Sequence, residues 1–297
     1  MSPLALQAHS IRAELAADWQ GTLRRVAAMG YPALELTWPL LRVQQMAEAG
    51  PLRRWLARLG VGLVNRRGAR RLAARLNDLS ERLPLAERPA PPGKATYQGL
   101  HIPALHAPLP LGRYQQPVLQ QAARLGVAYL VAALPAADFA TAEAVQRTCD
   151  QLNAAARVAG QHGLRLAYHN HWWEFAPVQG RLPFEMMLAW LDPAVCFEVD
   201  VYWVQVAGHD PAAWLRRLAD RAPLLHLKDG PATPEAPMTA LGEGVMDIPA
   251  LLAAASPGSW WIVELDRCAT DMLTAVQQSY AFLQAHAGKT PMVPRAR

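Results

Sequence analysis

The chain has 297 residues, 52% of them hydrophobic, which exceeds an ordinary domain but suits one α/β barrel whose core needs no disulfides. Three scattered cysteines, Cys149, Cys196 and Cys268, lack metal spacing and read as free thiols of a reducing, cytoplasmic compartment; no leader pattern opens the chain and no apolar run is long enough to span a membrane. The formal net charge of +5 is concentrated between Arg53 and Arg88 and after Lys289; a single aromatic, Trp55, stands among those arginines, so a solvated helix face and a loose tail are expected rather than a nucleic-acid surface.

The first strand is expected at Leu4–His9, followed by a helix at Trp19–Met29. Strand two, Ala33–Thr37, leads into a helix at Leu41–Leu59. Strand three is placed at Leu100–His106, with Val61–Asn65 as the competing position, and its helix at Gln115–Leu125. Then follow Ala128–Ala133 with Thr141–His162, Arg165–Asn170 with Leu182–Leu191, and Cys196–Val201 with Pro211–Ala219. Pro223–Leu227 with Ile248–Ala255 and Trp260–Glu264 with Asp271–Ala285 complete the set. Eight β-α units in strict order predict a parallel sheet closed into a (β/α)8 barrel. An open doubly wound sheet would carry a glycine-rich phosphate loop after its first strand; here that strand ends Gln7-Ala8-His9-Ser10. One barrel over residues 1–287 is expected, with an insertion at 61–98 between the second helix and the third strand and a disordered tail at 288–297.

Active-site groups of such barrels sit at the strand C-termini. Those ends carry His9, Glu35, His106, His169-Asn170-His171, Glu198-Val199-Asp200, His226-Leu227-Lys228-Asp229 and Glu264-Leu265-Asp266. A mixed imidazole and carboxylate pocket suits Mn²⁺, Co²⁺, Zn²⁺ or Fe²⁺ better than Ca²⁺. Asp200, His226 and Glu264 each end an apolar strand, where an unpaired polar group is costly, so a shared cation accounts for them together. His169 and His171 stand at i and i+2 and face the same side. His9 and His106 suit substrate contacts or hydrogen-bonded rim positions. Glu35 suits a substrate hydroxyl, an arginine partner or a metal. Lys228 shares a side with His226 and could donate to a substrate oxygen or pair with Asp229 or a nearby glutamate. Trp172, Trp173, Tyr202 and Trp203 could wall a sugar or pack beneath loops. Leu241-Gly242-Glu243-Gly244 reads as tight turns beside the pocket.

Several stretches match a known pattern. They are Leu6 to Arg12, Gly30 to Leu36, Tyr168-His169-Asn170-His171 with Glu174-Phe175, Asp200-Val201-Tyr202-Trp203, Gly208-His209-Asp210-Pro211, His226 to Asp229, Leu241 to Gly244, and Val263 to Asp266. Together they resemble the sugar phosphate isomerase/epimerase family, the xylose-isomerase-like TIM barrels. Within it they resemble the His-Asn-His subgroup that includes inosose-dehydratase-like and 3-keto-sugar-processing proteins. The resemblance implies one divalent metal (Mn, Co, Zn, Fe or Mg) held by His169, Asp200, His226 and Glu264. Many epimerases of the family have a glutamate where this chain has His169, which shifts the expectation from two exchanging glutamates to one carboxylate base. The implied reaction is proton abstraction beside a carbonyl of a sugar, keto-sugar or cyclitol, ending in isomerisation, epimerisation or elimination. Glu264 or His171 would be the base, Lys228 or His106 would assist the oxyanion, and His9, Glu35, His106 and Trp203 would contact substrate. The competing readings are an endonuclease-type metal hydrolase of the same fold and a non-catalytic sugar-binding barrel. A homo-oligomer is left open.

Overall fold

The structure, a computed structural model, describes residues 2–48 and 99–286. The expected insertion at 61–98, the basic stretch from Arg53 to Arg88 and the tail at 288–297 lie outside the described residues. Eight parallel strands close into a barrel in sequence order: β1 (Leu4–Gln7), β2 (Leu34–Thr37), β3 (Ala104–His106), β4 (Tyr129–Ala132), β5 (Arg165–His169), β6 (Cys196–Asp200), β7 (Leu224–Leu227) and β8 (Trp260–Val263). The third strand is thus the one before His106. It begins at Ala104 rather than Leu100, because His101 makes only an isolated bridge to Ala33. The first strand stops at Gln7, and His9 falls in the turn beyond it.

Around the barrel run α1 (Arg12–Ala17), α2 (Trp19–Ala28), α3 (Trp38–Glu48), α4 (Gln115–Leu125), α5 (Ala142–Gln161), α6 (Pro183–Trp190), α7 (Val201–Val206), α8 (Pro211–Leu218), α9 (Ile248–Ala254) and α10 (Met272–His286). Their caps are of ordinary kinds. Thr141 accepts from the Ala144 N–H to start α5, and Asp210 accepts from Ala212 and Ala213 to start α8. Gly126 ends α4 in the left-handed region at φ 65°, where a side chain would be strained. α1 and α7 were not expected from the sequence. Each has six residues, too few to show a 3.6-residue period. Among the described residues, no helix is long and apolar enough to cross a membrane.

The barrel interior is layered, and this layering positions the site. One inward residue from each unit forms an apolar floor: Ala5, Ala33, Ala104, Val131, Ala167, Cys196, Leu224 and Ile262, all buried. Inward positions recur every second residue along a strand. Two residues beyond each floor member stand Gln7, Glu35, His106, Ala133, His169, Glu198, His226 and Glu264. Every unit except the fourth therefore places a polar group directly above the floor. A further step of two brings His9, Thr37, His171, Asp200, Lys228 and Asp266 toward the rim.

Candidate metal centre and pocket

On β1 and β2 the Gln7 side-chain amide donates to Glu35 Oε2 at 2.7 Å. Glu35 is fully buried, and His226 Nε2 lies 2.7 Å from the same oxygen. Among the described residues Glu35 thus meets a glutamine and two histidines, the second being His106 at 3.5 Å. Past β1, the Arg12 guanidinium donates to the carbonyls of His9 (2.7 Å) and Asp266 (3.1 Å). That strap joins the first and last units across the rim.

The His-Asn-His turn has a clear internal logic. Asn170 Oδ1 accepts from the Asp200 N–H at 3.0 Å while its Nδ2 donates to the Asp200 carbonyl at 3.2 Å. The middle residue thereby extends the β5–β6 pairing by one position and fixes where Asp200 begins. Glu174 accepts from the Tyr168 hydroxyl at 2.5 Å and from the His171 N–H at 2.8 Å, which locks the turn's far side. Burial pushes the Glu174 carboxyl up to about 7.

On β6, Asp200 caps α7 by accepting from the Trp203 N–H through Oδ1. Its Oδ2 is buried, with Lys228 Nζ 2.9 Å away and His169 Nε2 3.8 Å away. Glu198, one inward step below Asp200, was not singled out in the sequence; it is fully buried, and its Oε2 lies 2.7 Å from His106 Nε2 and 2.9 Å from His169 Nδ1. On β7 and β8, His226 Nδ1 meets Glu264 Oε2 at 2.7 Å. Lys228, 1% exposed, pairs with Asp200, Glu264 (2.8 Å) and Asp266 (3.1 Å), and its ammonium lies 5.2 Å from the centre of the Trp203 ring.

Lys228 does not pair with Asp229. Asp229 instead accepts from the backbone N–H groups of Gly230, Gly242, Gly244 and Met246, and so folds the loop after β7 around one carboxylate. Gly244 is required there: a Cβ would come 2.1 Å from Asp229 Oδ1.

The electrostatics follow from burial and pairing. Burial opposes charge on Lys228, yet Asp200, Asp266 and Glu264 hold its ammonium well above its ordinary value. Burial likewise opposes charge on His106, and Glu198 and Glu35 overcome it and raise the ring to about 10. His171 has no such partner. Burial, followed by the neighbouring His169 and Lys228, pushes it down to about 2, so its ring is neutral. His171 stacks on Trp173 at 4.1 Å with planes 11° apart, and its buried Nδ1 has no hydrogen-bond partner.

These groups surround a cavity of about 490 Å³ whose walls include Trp172, Trp173, Trp203, His9, Arg12 and Thr37. His106, His169, His171, Lys228 and Glu264 also reach it. Tyr202, grouped with those tryptophans in the sequence reading, is fully buried and packs in the core instead. Of the expected residues, His169, Asp200, His226 and Glu264 each bring one ligand atom within 4.8 Å of the others. The donor set fits a divalent transition ion: two imidazoles and two carboxylates, all buried, whose ligand atoms lie close together. Gln7, Glu198 and Asn170 complete the site; the sequence pattern named Glu198 and Asn170 at strand ends without a role for either, and gave Gln7 none. Glu198 was within reach of the period-two rule, since it stands two residues before Asp200.

No functionally curated protein sequence matches the chain. A sugar phosphate isomerase/epimerase structure from Parabacteroides distasonis ATCC 8503 is similar at a TM-score of 0.67 and 22% identity, covering 96% of this chain and 98% of that one. The probable 3-DHS dehydratase AsbF of Bacillus anthracis is similar at a TM-score of 0.65 and 12% identity, covering 96% and 99%. The IOLI protein, solved with a bound zinc atom, is similar at a TM-score of 0.60 and 15% identity, covering 98% and 100%. At these identities the likeness is one of fold. The family model described as xylose isomerase-like TIM barrel matches residues 113–286, well over half of the sequence, and the chain belongs to that family.

Proposed function

We propose that this protein is a divalent-metal-dependent enzyme that removes a proton beside the carbonyl of a keto-sugar or cyclitol, with isomerisation, epimerisation or elimination as the outcome. The observation that carries the reading is the convergence of His169, Asp200, His226 and Glu264 beside a cavity walled by tryptophans, which His169 and Glu264 themselves line. The ion, when bound, would supply a Lewis acid for the carbonyl oxygen and a neighbouring hydroxyl. Glu264 lines the cavity and is the carboxylate placed to take the proton; His171, neutral and with a free Nδ1, is the alternative base. Lys228 stays charged among its three carboxylates and is placed to hold the developing oxyanion. His9, His106 and Trp203 contact the substrate ring in this reading. The named relatives, an isomerase/epimerase, a dehydratase and a zinc-bound barrel, are consistent with chemistry of this class.

A three-metal hydrolase would need separate ligand groups for each ion. Among the described residues the two metal-capable groups share His169 and His226, which favours a single ion. The test is elemental analysis of the purified protein together with α-proton exchange in D₂O across keto-sugars and inososes. About one divalent ion per chain and exchange with at least one substrate are expected. Asp200→Ala and Glu264→Ala should each lose both the ion and turnover; full activity in either variant sinks the reading.

A further inference from the structure

Two overlapping groups of side chains could bind a cation: His169, Asp200, His226 and Glu264, and one step lower His106, His169, Glu198 and His226. The shared histidines face the two groups through opposite ring nitrogens. His169 turns Nδ1 to Glu198 Oε2 at 2.9 Å and Nε2 toward Asp200 Oδ2. His226 turns Nε2 to Glu35 Oε2 (2.7 Å) and Glu198 Oε2 (3.1 Å), and Nδ1 to Glu264. A neutral imidazole that gives a lone pair to a cation carries its proton on the other nitrogen. Each ring can therefore be a ligand for one group only, and is a hydrogen-bond donor to the other.

The hydrogen bonding decides which. Glu198 Oε2 already meets three imidazole nitrogens, those of His106, His169 and His226, at 2.7, 2.9 and 3.1 Å. Asp200 Oδ2 meets only the Lys228 ammonium at 2.9 Å and, at 3.8 Å, His169 Nε2. The upper group also includes the last residue of β6 and the first residue past β8, at the strand ends that face the cavity. We infer that Glu198 is a positioning residue: its Oε2 takes the Nδ1–H of His169 and stands 3.1 Å from His226 Nε2, whose shorter contact is Glu35 Oε2 at 2.7 Å, so that the two carboxylates together aim His169 Nε2 and His226 Nδ1 at one divalent cation. His106 donates to Glu198 Oε2 and holds that carboxylate in place. This inference rests on the metal-dependent reading above. A carboxylate at 0% exposure is too costly to be filler, and support of this kind is what metal-ligating imidazoles generally receive.

The first test uses the wild-type protein with ¹⁵N-labelled histidine, loaded with zinc. Long-range ¹H–¹⁵N spectra should show His169 protonated at Nδ1 and bound through Nε2, with His226 protonated at Nε2 and bound through Nδ1. The reverse at either ring overturns the inference. This spectrum needs no variant and holds even if Glu198 substitutions fail to fold. The second test is zinc titration by calorimetry against a competing chelator. Glu198→Gln should still bind one zinc, about 10–100-fold more weakly than wild type. Equal affinity overturns the inference. So does loss of zinc in Glu198→Gln combined with its retention in Asp200→Asn, which would make the lower group the ligand set. Wild-type protein that takes up no zinc removes the metal reading itself, and this inference with it.

Discussion

Strands β5 to β8 hang His169, Asp200, His226, Lys228 and Glu264 around one point, whereas β1 to β3 bring Gln7, Glu35 and His106 against them, and β4 offers only Ala133 at that level. The stretch matched by the family model, residues 113–286, contains the first set and none of the second. The second half carries the candidate donor atoms together with one supporting carboxylate, Glu198, against His169. The first half adds support from behind: Gln7 donates to Glu35, and Glu35 meets the far nitrogen of His226. A group that never meets the ligand can still set the direction of one that does.

This contrast can be broken at Glu35. If the first half acts through His226, Glu35→Gln weakens divalent-ion affinity about 10–100-fold in calorimetry and leaves KM at saturating metal unchanged. A raised KM with native metal affinity would instead make Glu35 a substrate contact. The pH dependence of stability sharpens the picture in the turn after β5. Glu174 has an ordinary value of 4.5 and a folded value of about 7, so the folded state holds the proton more tightly. Its stabilising share is complete below about 4.5 and is lost as pH rises through about 7, a change of ~3 kcal/mol. Glu174→Gln cannot titrate, so urea unfolding should show wild type losing ground to the variant by that amount between pH 4.5 and 7.5. Parallel curves would mean the carboxyl is not the buried acid the structure describes. The smallest expected effect lies on the aromatic wall. Trp173→Leu removes the stacking partner of His171, worth about 1 kcal/mol, and should raise KM roughly fivefold with metal affinity unchanged.

Much of the fold was legible because each strand is a short apolar run bounded by turn residues, and each long helix repeats its apolar face over several turns. α1 and α7 escaped because one and a half turns leave no period to detect, and α7 follows β6 without any intervening loop. In the site, residues at strand ends were legible from position and chemistry together. Glu198 and Gln7 were visible as residues but not as parts of the site, because the last polar residue of a strand draws the role away from the one a full pleat below it. The rule that paired His169 with His171 pairs Asp200 with Glu198 equally well. Asn170 and Asp229 were legible as residues but not as roles. Both act on backbone groups brought close only by folding, Asn170 across two strands and Asp229 along a loop from Gly230 to Met246.

The division between strand-borne and loop-borne groups has a consequence for redesign. Every donor around the candidate ion stands on a strand or one residue past its end, in a framework held by the closed ladder and its apolar floor. Trp172 and Trp173 belong to the segment after β5, and Arg267 to the one after β8. The molecule is thus split into a fixed reactor and an exchangeable faceplate. Directed evolution toward a bulkier or more polar ring has its natural library at 172–173 and 267, where the inner workings need not be touched.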